Sequence, residues 1–185
     1  VVEVHAGLVR RAQQGDQQAF EVLAAGVIDS LHSIAALILH DPTLADDAVQ
    51  ETLVRVWRDL PRLRDAERFE GWLHSILSHS CLDLLRRERR TVRTDPLPPT
   101  LADHHRVDVE IANRDAVDRA LRRLTVQHRA VLVLRHYVGY SSREVANVLK
   151  LPLGTVKSRL HYAERAMHAA VDADARMVPV RGELA

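Results

Sequence analysis

Residues 141–171 read SSREVANVLKLPLGTVKSRLHYAERAMHAAV, and their spacing predicts two helices joined by a turn. Ser141 and Glu144 stand as a capping box, which starts a helix by satisfying its first free amides. Val145, Ala146 and Leu149 give this helix an apolar side, and the small Ala146 lets a second helix cross closely. Leu151-Pro152-Leu153-Gly154 interrupts it, because proline lacks an amide hydrogen and glycine is conformationally free. A second helix follows from about Thr155, with Val156, Leu160, Ala163, Met167 and Ala170 on one stripe. Lys157, Ser158, His161 and Arg165 face the other way. A helix built like this suits a DNA major groove, where it meets phosphates and base edges. An ordinary helical hairpin with a solvated face has the same local pattern, so the rest of the chain must decide.

The composition points to helices. Of 185 residues, 46% are hydrophobic and only 4% aromatic, which predicts an aliphatic core, and glycine is scarce at 7. Alternating β-branched runs are nearly absent, which argues against sheet. A net charge of +1 leaves any nucleic-acid surface local, not global. A single cysteine, Cys81, excludes an internal disulfide and a multi-cysteine zinc site, and its apolar neighbours suggest a buried thiol. No uninterrupted apolar run approaches the roughly 18 residues of a membrane span, and no basic-then-apolar signal opens the sequence. A soluble, cytoplasmic chain without cofactor or metal is expected.

Upstream, Gly15-Asp16 breaks an opening helix and Asp16 offers an N-cap for the next. Phe20, Leu23, Ala24, Val27, Leu31, Ile34, Ala35 and Ile38 then recur at helical spacing, until His40-Asp41-Pro42 ends the run. Thr43 to Leu60 forms a further helix, with Thr43 and Asp46 at capping spacing. Its inner side is Ala45, Ala48, Val49, Thr52, Val56 and Leu60, and its outer side carries Asp46, Asp47, Gln50, Glu51, Val54, Arg55 and Arg58. After Pro61, a helix from about Ala66 to Arg90 packs through Phe69, Trp72, Leu73, Ile76, Leu77, Ser80, Cys81 and Leu84. It ends in Arg86, Arg87, Arg89 and Arg90, a cationic end near Trp72, His74 and His79 that could track a nucleic-acid backbone and stack on unpaired bases. The same arginines also suit the helix dipole. Residues 91–113, with Asp95-Pro96-Leu97-Pro98-Pro99, form a linker, in which His104-His105 lack further metal ligands. From Asp115 helices resume: Val117, Ala120, Leu121 and Leu124, then a cap at Thr125 and a buried helix from Val126 to Val138, stopped by Gly139. Beyond Val171 the tail has little pattern.

Four blocks in this order resemble the sigma-70 family of RNA polymerase sigma factors, in its small extracytoplasmic-function group. They are Gly15-Asp16 with Ala19-Phe20; Asp46-Asp47-Ala48-Val49-Gln50-Glu51-Thr52 leading to Val56-Trp57; Phe69 with Trp72-Leu73 through Asp83 to the arginine run; and Gly154-Thr155-Val156-Lys157-Ser158-Arg159-Leu160. The resemblance implies an all-α fold of two small helical domains joined by a flexible linker. Residues 5–90 would bind core polymerase and recognise and melt the minus-ten element, and 114–171 would recognise the minus-thirty-five element, followed by a tail at 172–185. Asp46, Asp47, Gln50, Glu51, Val54 and Arg55 would dock on the β′ clamp helices. Trp72, His74, His79, Asp83, Arg86, Arg87 and Arg90 would meet minus-ten DNA. Ser142, Arg143, Thr155, Lys157, Ser158, Arg159, His161, Tyr162 and Arg165 would meet minus-thirty-five DNA. Further implied partners are the β flap and an anti-sigma factor, with the free protein a monomer that does not insert into membranes.

The sequence departs from the family at four places. His79 stands where asparagine is usual, Tyr162 and Glu164 where arginines are common, and Lys150 where the turn often has glycine. The alternatives are a helix-turn-helix regulator that acts without polymerase, or a sigma-like protein that binds polymerase without directing it. For an enzyme there is no phosphate-binding glycine loop, no HExxH and no nucleophile with an evident base.

Overall fold

The computed structural model describes residues 2–92 and 117–177, with side chains over 6–88 and 117–170. Among the described residues the structure is helical without a strand. The first domain comprises α1 (Val2–Gln13), α2 (Gln17–Leu39), α3 (Pro42–Asp59) and α4 (Phe69–Val92), the last entered through two short 3₁₀ turns. The second comprises α5 (residues 117–122), α6 (Val126–Leu132), which widens into a π turn over Val133–Tyr137, then α7 (Ser142–Leu149) and α8 (Leu153–Met177).

Local chemistry fixes the boundaries. The Asp16 carboxylate accepts from the Ala19 amide at 2.9 Å and starts α2. His40, at φ 56°, takes the left-handed conformation that ends it. The cap of α3 is Asp41, not Thr43: its carboxylate accepts from Leu44 N at 3.1 Å, with Pro42 in the first turn, where a missing amide hydrogen costs nothing. Thr43 lies inside the helix. Ser141 and Glu144 close the expected capping box, with Glu144 accepting from Ser141 N at 2.7 Å. Lys150 then adopts φ 52°, the left-handed position that favours glycine, and α8 begins at Leu153, two residues earlier than expected. α8 also runs on to Met177, past Val171. Residues 172–177 contain good helix formers and no glycine or proline, so nothing local stops it.

α2 lies at the centre. It is long and apolar enough, by length and composition, to cross a membrane. Its Leu23, Leu31, Ile34, Ala35 and Ile38 are instead buried in the core against α1, α3 and α4. Ala45, Ala48, Val49, Thr52 and Val56 of α3 join them, as the sequence stripe requires. Cys81 is fully buried there, and burial pushes its thiol up to about 12. A second core gathers Leu121, Leu124, Val131, Leu134, Val145, Val148, Leu149, Val156 and Leu160. The two domains also pack directly. Val126, Ala130 and Val133 belong to the first core, and Leu37 and Val138 touch both. The linker and its His104-His105 pair, the tail from 178 and the Arg90 side chain lie outside the described residues.

Candidate nucleic-acid and protein interface

The amphipathic pattern of α3 presents its outer side to solvent. Asp46, Asp47, Gln50 and Val54 are exposed, Val54 at 61%, while Glu51 and Arg55 are half-buried. Asp47, Gln50, Glu51, Val54, Arg55 and Arg58 line a shallow hollow of about 380 Å³. Its charges differ in freedom. Glu51 accepts from both Arg55 and Arg87, the latter at 3.3 Å, so it ties α3 to α4. Asp46 pairs with His32 at 3.0 Å. Trp57, at the end of this face, packs edge-on against Phe20 with ring centroids 4.7 Å apart.

A second hollow, of about 450 Å³, adjoins the first through Arg55 and Arg58. Asp59, Trp72, Ser75, Ile76, His79, Asp83 and Lys150 complete it. Its chemistry is mixed: one indole, one imidazole, and cations set among carboxylates. His79 Nδ1 lies 2.6 Å from the Ser75 carbonyl. A carbonyl only accepts, so Nδ1 carries the hydrogen and Nε2 is the ring's remaining polar atom. Asp83 is 3.1 Å from Arg86 and 3.9 Å from Arg55, which partly neutralises the arginine run, as Glu51 does for Arg87.

The structure does not bring His74 to this hollow. It is buried, because α7 and the segment before it lie over that side of α4. His74 Nδ1 is 2.7 Å from the Tyr140 hydroxyl, and Ser75 Oγ donates to the Val148 carbonyl at 2.7 Å. Here His74 is part of the junction between domains, not of an open DNA surface. Lys150 likewise reaches the first domain's hollow from the second domain. The open hollow beside α4 and the exposed side of α8 therefore have a set spacing in this structure, although a flexible linker joins their domains in the sequence reading.

On the second domain, Lys157, Ser158, His161, Tyr162 and Arg165 are exposed along one side of α8, opposite buried Val156, Leu160 and Ala163. Thr155 and Arg159 are half-buried at the edge of this side. Ser142 and Arg143 open α7, Ser142 half-buried and Arg143 exposed. Ser158 Oγ donates to the Thr155 carbonyl at 3.0 Å, which occupies the hydroxyl hydrogen. Glu164 pairs with His136 at 3.1 Å. Sequence reasoning missed His128, whose ring stacks on Tyr162; the capping position of Thr125 three residues earlier was the available signal.

Three histidines carry a pH dependence. Burial pushes His40, His74 and His128 below the ordinary value of 6.5, helped at His40 and His128 by nearby arginines. Asp118 pulls His40 the other way, as Glu70 does His74, without reversing either shift. Burial, with Glu70 and Glu144 nearby, pushes Tyr140 up to about 12, so its hydroxyl stays protonated. Each neutral imidazole is favoured by the fold, while the unfolded chain takes up a proton near 6.5. Their contribution is thus complete above pH 6.5 and is lost as pH falls below it. The melting temperature should be level from pH 8 to 7 and decline below about 6.5, with a shallower decline in His74→Gln. Equal slopes for parent and variant would remove His74 from this account.

Comparison with known proteins adds independent weight. Residues 25–91 match the Sigma-70 region 2 family, and residues 114–167 match Sigma-70, region 4. The chain is 31% identical to the RNA polymerase sigma-H factor of Pseudomonas aeruginosa over 180 residues, covering 89% of this chain and 92% of that protein. It is 35% identical to the ECF RNA polymerase sigma factor SigM of Mycobacterium tuberculosis over 147 residues, covering 78% and 73% of the two. Among solved structures, CnrH in complex with the cytosolic domain of CnrY is 32% identical with a TM-score of 0.67, covering 92% of this chain and 99% of that one. The sigma factor RpoE from Bartonella quintana, solved with the anti-sigma factor NepR, shares the fold at 22% identity and a TM-score of 0.69. It covers 84% of this chain and 98% of that one.

Proposed function

Because this chain belongs to the extracytoplasmic-function group of the sigma-70 family, and so binds core RNA polymerase and directs it to promoters, we propose how its surfaces divide that work. Residues 5–90 take the polymerase and the minus-ten element, 91–113 connect, 114–171 take the minus-thirty-five element, and 172–185 form the tail. The exposed side of α3, from Asp46 through Asp47, Gln50, Glu51 and Val54 to Arg55, docks on the β′ clamp helices. The observation that carries this is the run of exposed polar side chains around Val54, directly opposite the buried stripe. Val54 and, at the end of the same face, Trp57 add apolar area to those charges for a partner to cover.

The adjoining hollow supports minus-ten recognition. Trp72 offers a ring for an unpaired base, His79 Nε2 a polar contact, and Arg86, Arg87 and Arg90 the cationic path for the backbone. Asp83 holds Arg86 and Arg55 in place. On the second domain, Lys157, Ser158, His161 and Tyr162 enter the groove at the minus-thirty-five element. Arg159, Arg165, Arg143, Ser142 and Thr155 attend to phosphates, and the same domain meets the β flap. By likeness to CnrH, which was solved with the cytosolic domain of CnrY, the chain takes a second protein partner, and an anti-sigma factor is the partner that the family resemblance implies.

Run-off transcription with core polymerase, followed by mapping of start sites, tests the assignment. Defined starts downstream of paired minus-thirty-five and minus-ten elements are expected, with weak duplex binding by the chain alone. Tight, specific duplex binding at physiological salt without polymerase would favour a stand-alone regulator, because the net charge of +1 provides little long-range attraction.

A further inference from the structure

The exposed side of α8 carries one aromatic side chain among polar and cationic ones. Tyr162 is 61% exposed, and its ring stacks on His128 with centroids 4.6 Å apart and planes at 29°. His128 is itself tethered: its Nδ1 lies 2.9 Å from Oγ1 of Thr125, the residue that caps α6. A tyrosine has two main side-chain torsions, and stacking on a tethered ring restricts both, so little ordering is left for complex formation. Burial and the Arg159 charge push His128 below its ordinary value, which favours the neutral imidazole in the stack.

Such a pair cannot do what arginine does. It has no planar fork for the O6 and N7 of guanine, and no charge for a phosphate. It presents an apolar ring edge and one hydroxyl. On the floor of a major groove, the apolar group that distinguishes one base from the others is the C5-methyl of thymine. Two polar neighbours on the helix are already engaged. Ser158 gives its hydroxyl hydrogen to Thr155, and Glu164 is engaged by His136.

We propose that Tyr162 reads a thymine methyl group in the minus-thirty-five element, and that His128 is the positioning residue that holds its ring for the contact. This rests on α8 being the minus-thirty-five reading helix. An arginine there would favour a guanine edge, whereas the stacked ring favours a thymine methyl. His128 acts through Tyr162 and touches no base itself.

Methyl deletion on the DNA provides the test. Holoenzyme assembled from core polymerase and the full chain first selects promoters from a library randomised across the minus-thirty-five region. Each dT of the selected element is then replaced by dU, one at a time, and holoenzyme affinity is measured. One position should lose about four-fold, the worth of one buried methyl group. Tyr162→Phe should keep that loss, Tyr162→Ala should abolish it, and His128→Ala should reduce it. Tyr162→Arg should move the selected base from thymine toward guanine. Melting temperatures of the variants confirm that these exposed or half-exposed changes leave the fold intact. If no dU substitution matters, or if the effect persists in Tyr162→Ala, the methyl reading is wrong while α8 still reads the element. A holoenzyme with no preference at all in this region overturns the assignment of α8 and the inference together.

Discussion

Replacing Arg129 with alanine is expected to lower the free energy of unfolding by about 2–4 kcal/mol. The guanidinium is buried, with the residue 8% exposed, and it serves two domains at once. Its Nε donates to the Ile38 carbonyl at 2.6 Å, and one terminal nitrogen donates to Leu39 at 3.4 Å. The other terminal nitrogen donates to Leu124 at 3.3 Å and Leu121 at 3.5 Å. Ile38 and Leu39 close α2, where the last carbonyls of a helix have no partner of their own and the dipole favours a cation. Truncation would leave those acceptors buried and unpaired. Arg129→Lys should recover only part of the loss, since an ammonium is a point donor and cannot span four carbonyls. Urea titration of the three proteins measures this. A cost below about 1 kcal/mol for Arg129→Ala would mean that the carbonyls find other donors and the guanidinium is no clamp.

Arg129 also shows where sequence reading stops. Its partner at Ile38 lies 91 residues away, and those of His74 at Tyr140 and Ser75 at Val148 lie 66 and 73 residues away. Such pairs leave no periodicity. In sequence His74 reads as one more polar side chain beside a cationic helix end, and nothing marks Arg129 apart within the apolar stretch from Val126 to Val138. What was legible was local or amphipathic: the Asp16 cap, the Ser141–Glu144 box, the buried stripe of α3 and the exposed side of α8. Even local signals compete. Thr43 and Asp41 both had capping chemistry, and the proline between them gave the position to Asp41. The π turn over Val133–Tyr137 has no counterpart in the apolar pattern, which predicted helix without its type. The candidate surfaces were readable as sets of residues, but their internal pairing was not. Nothing in the spacing of Glu51 and Arg87 says that they hold each other.

That pairing decides which substitution tests the polymerase-docking face. Reversing Glu51 would cut its bonds to Arg55 and Arg87, so lost binding could reflect a loosened α3–α4 contact. Asp47 and Val54 are exposed on the same side of the helix. The double change Asp47→Arg with Val54→Asp should therefore leave stability within about 0.5 kcal/mol of the parent. It should nonetheless weaken binding to core polymerase on the order of a hundred-fold, roughly 2.7 kcal/mol. Two effects combine. A valine outside the core still contributes apolar area when a partner covers it, and an aspartate there replaces that area with a charge that must be desolvated. A reversed charge at Asp47 adds repulsion wherever the partner is basic, which appears first in the association rate and fades with salt. Titrating labelled chain against core polymerase at two salt concentrations separates these parts. The Val54 loss should persist at high salt, and the Asp47 loss should shrink. If the double variant binds as tightly as the parent at an unchanged melting temperature, this side of α3 does not dock on polymerase.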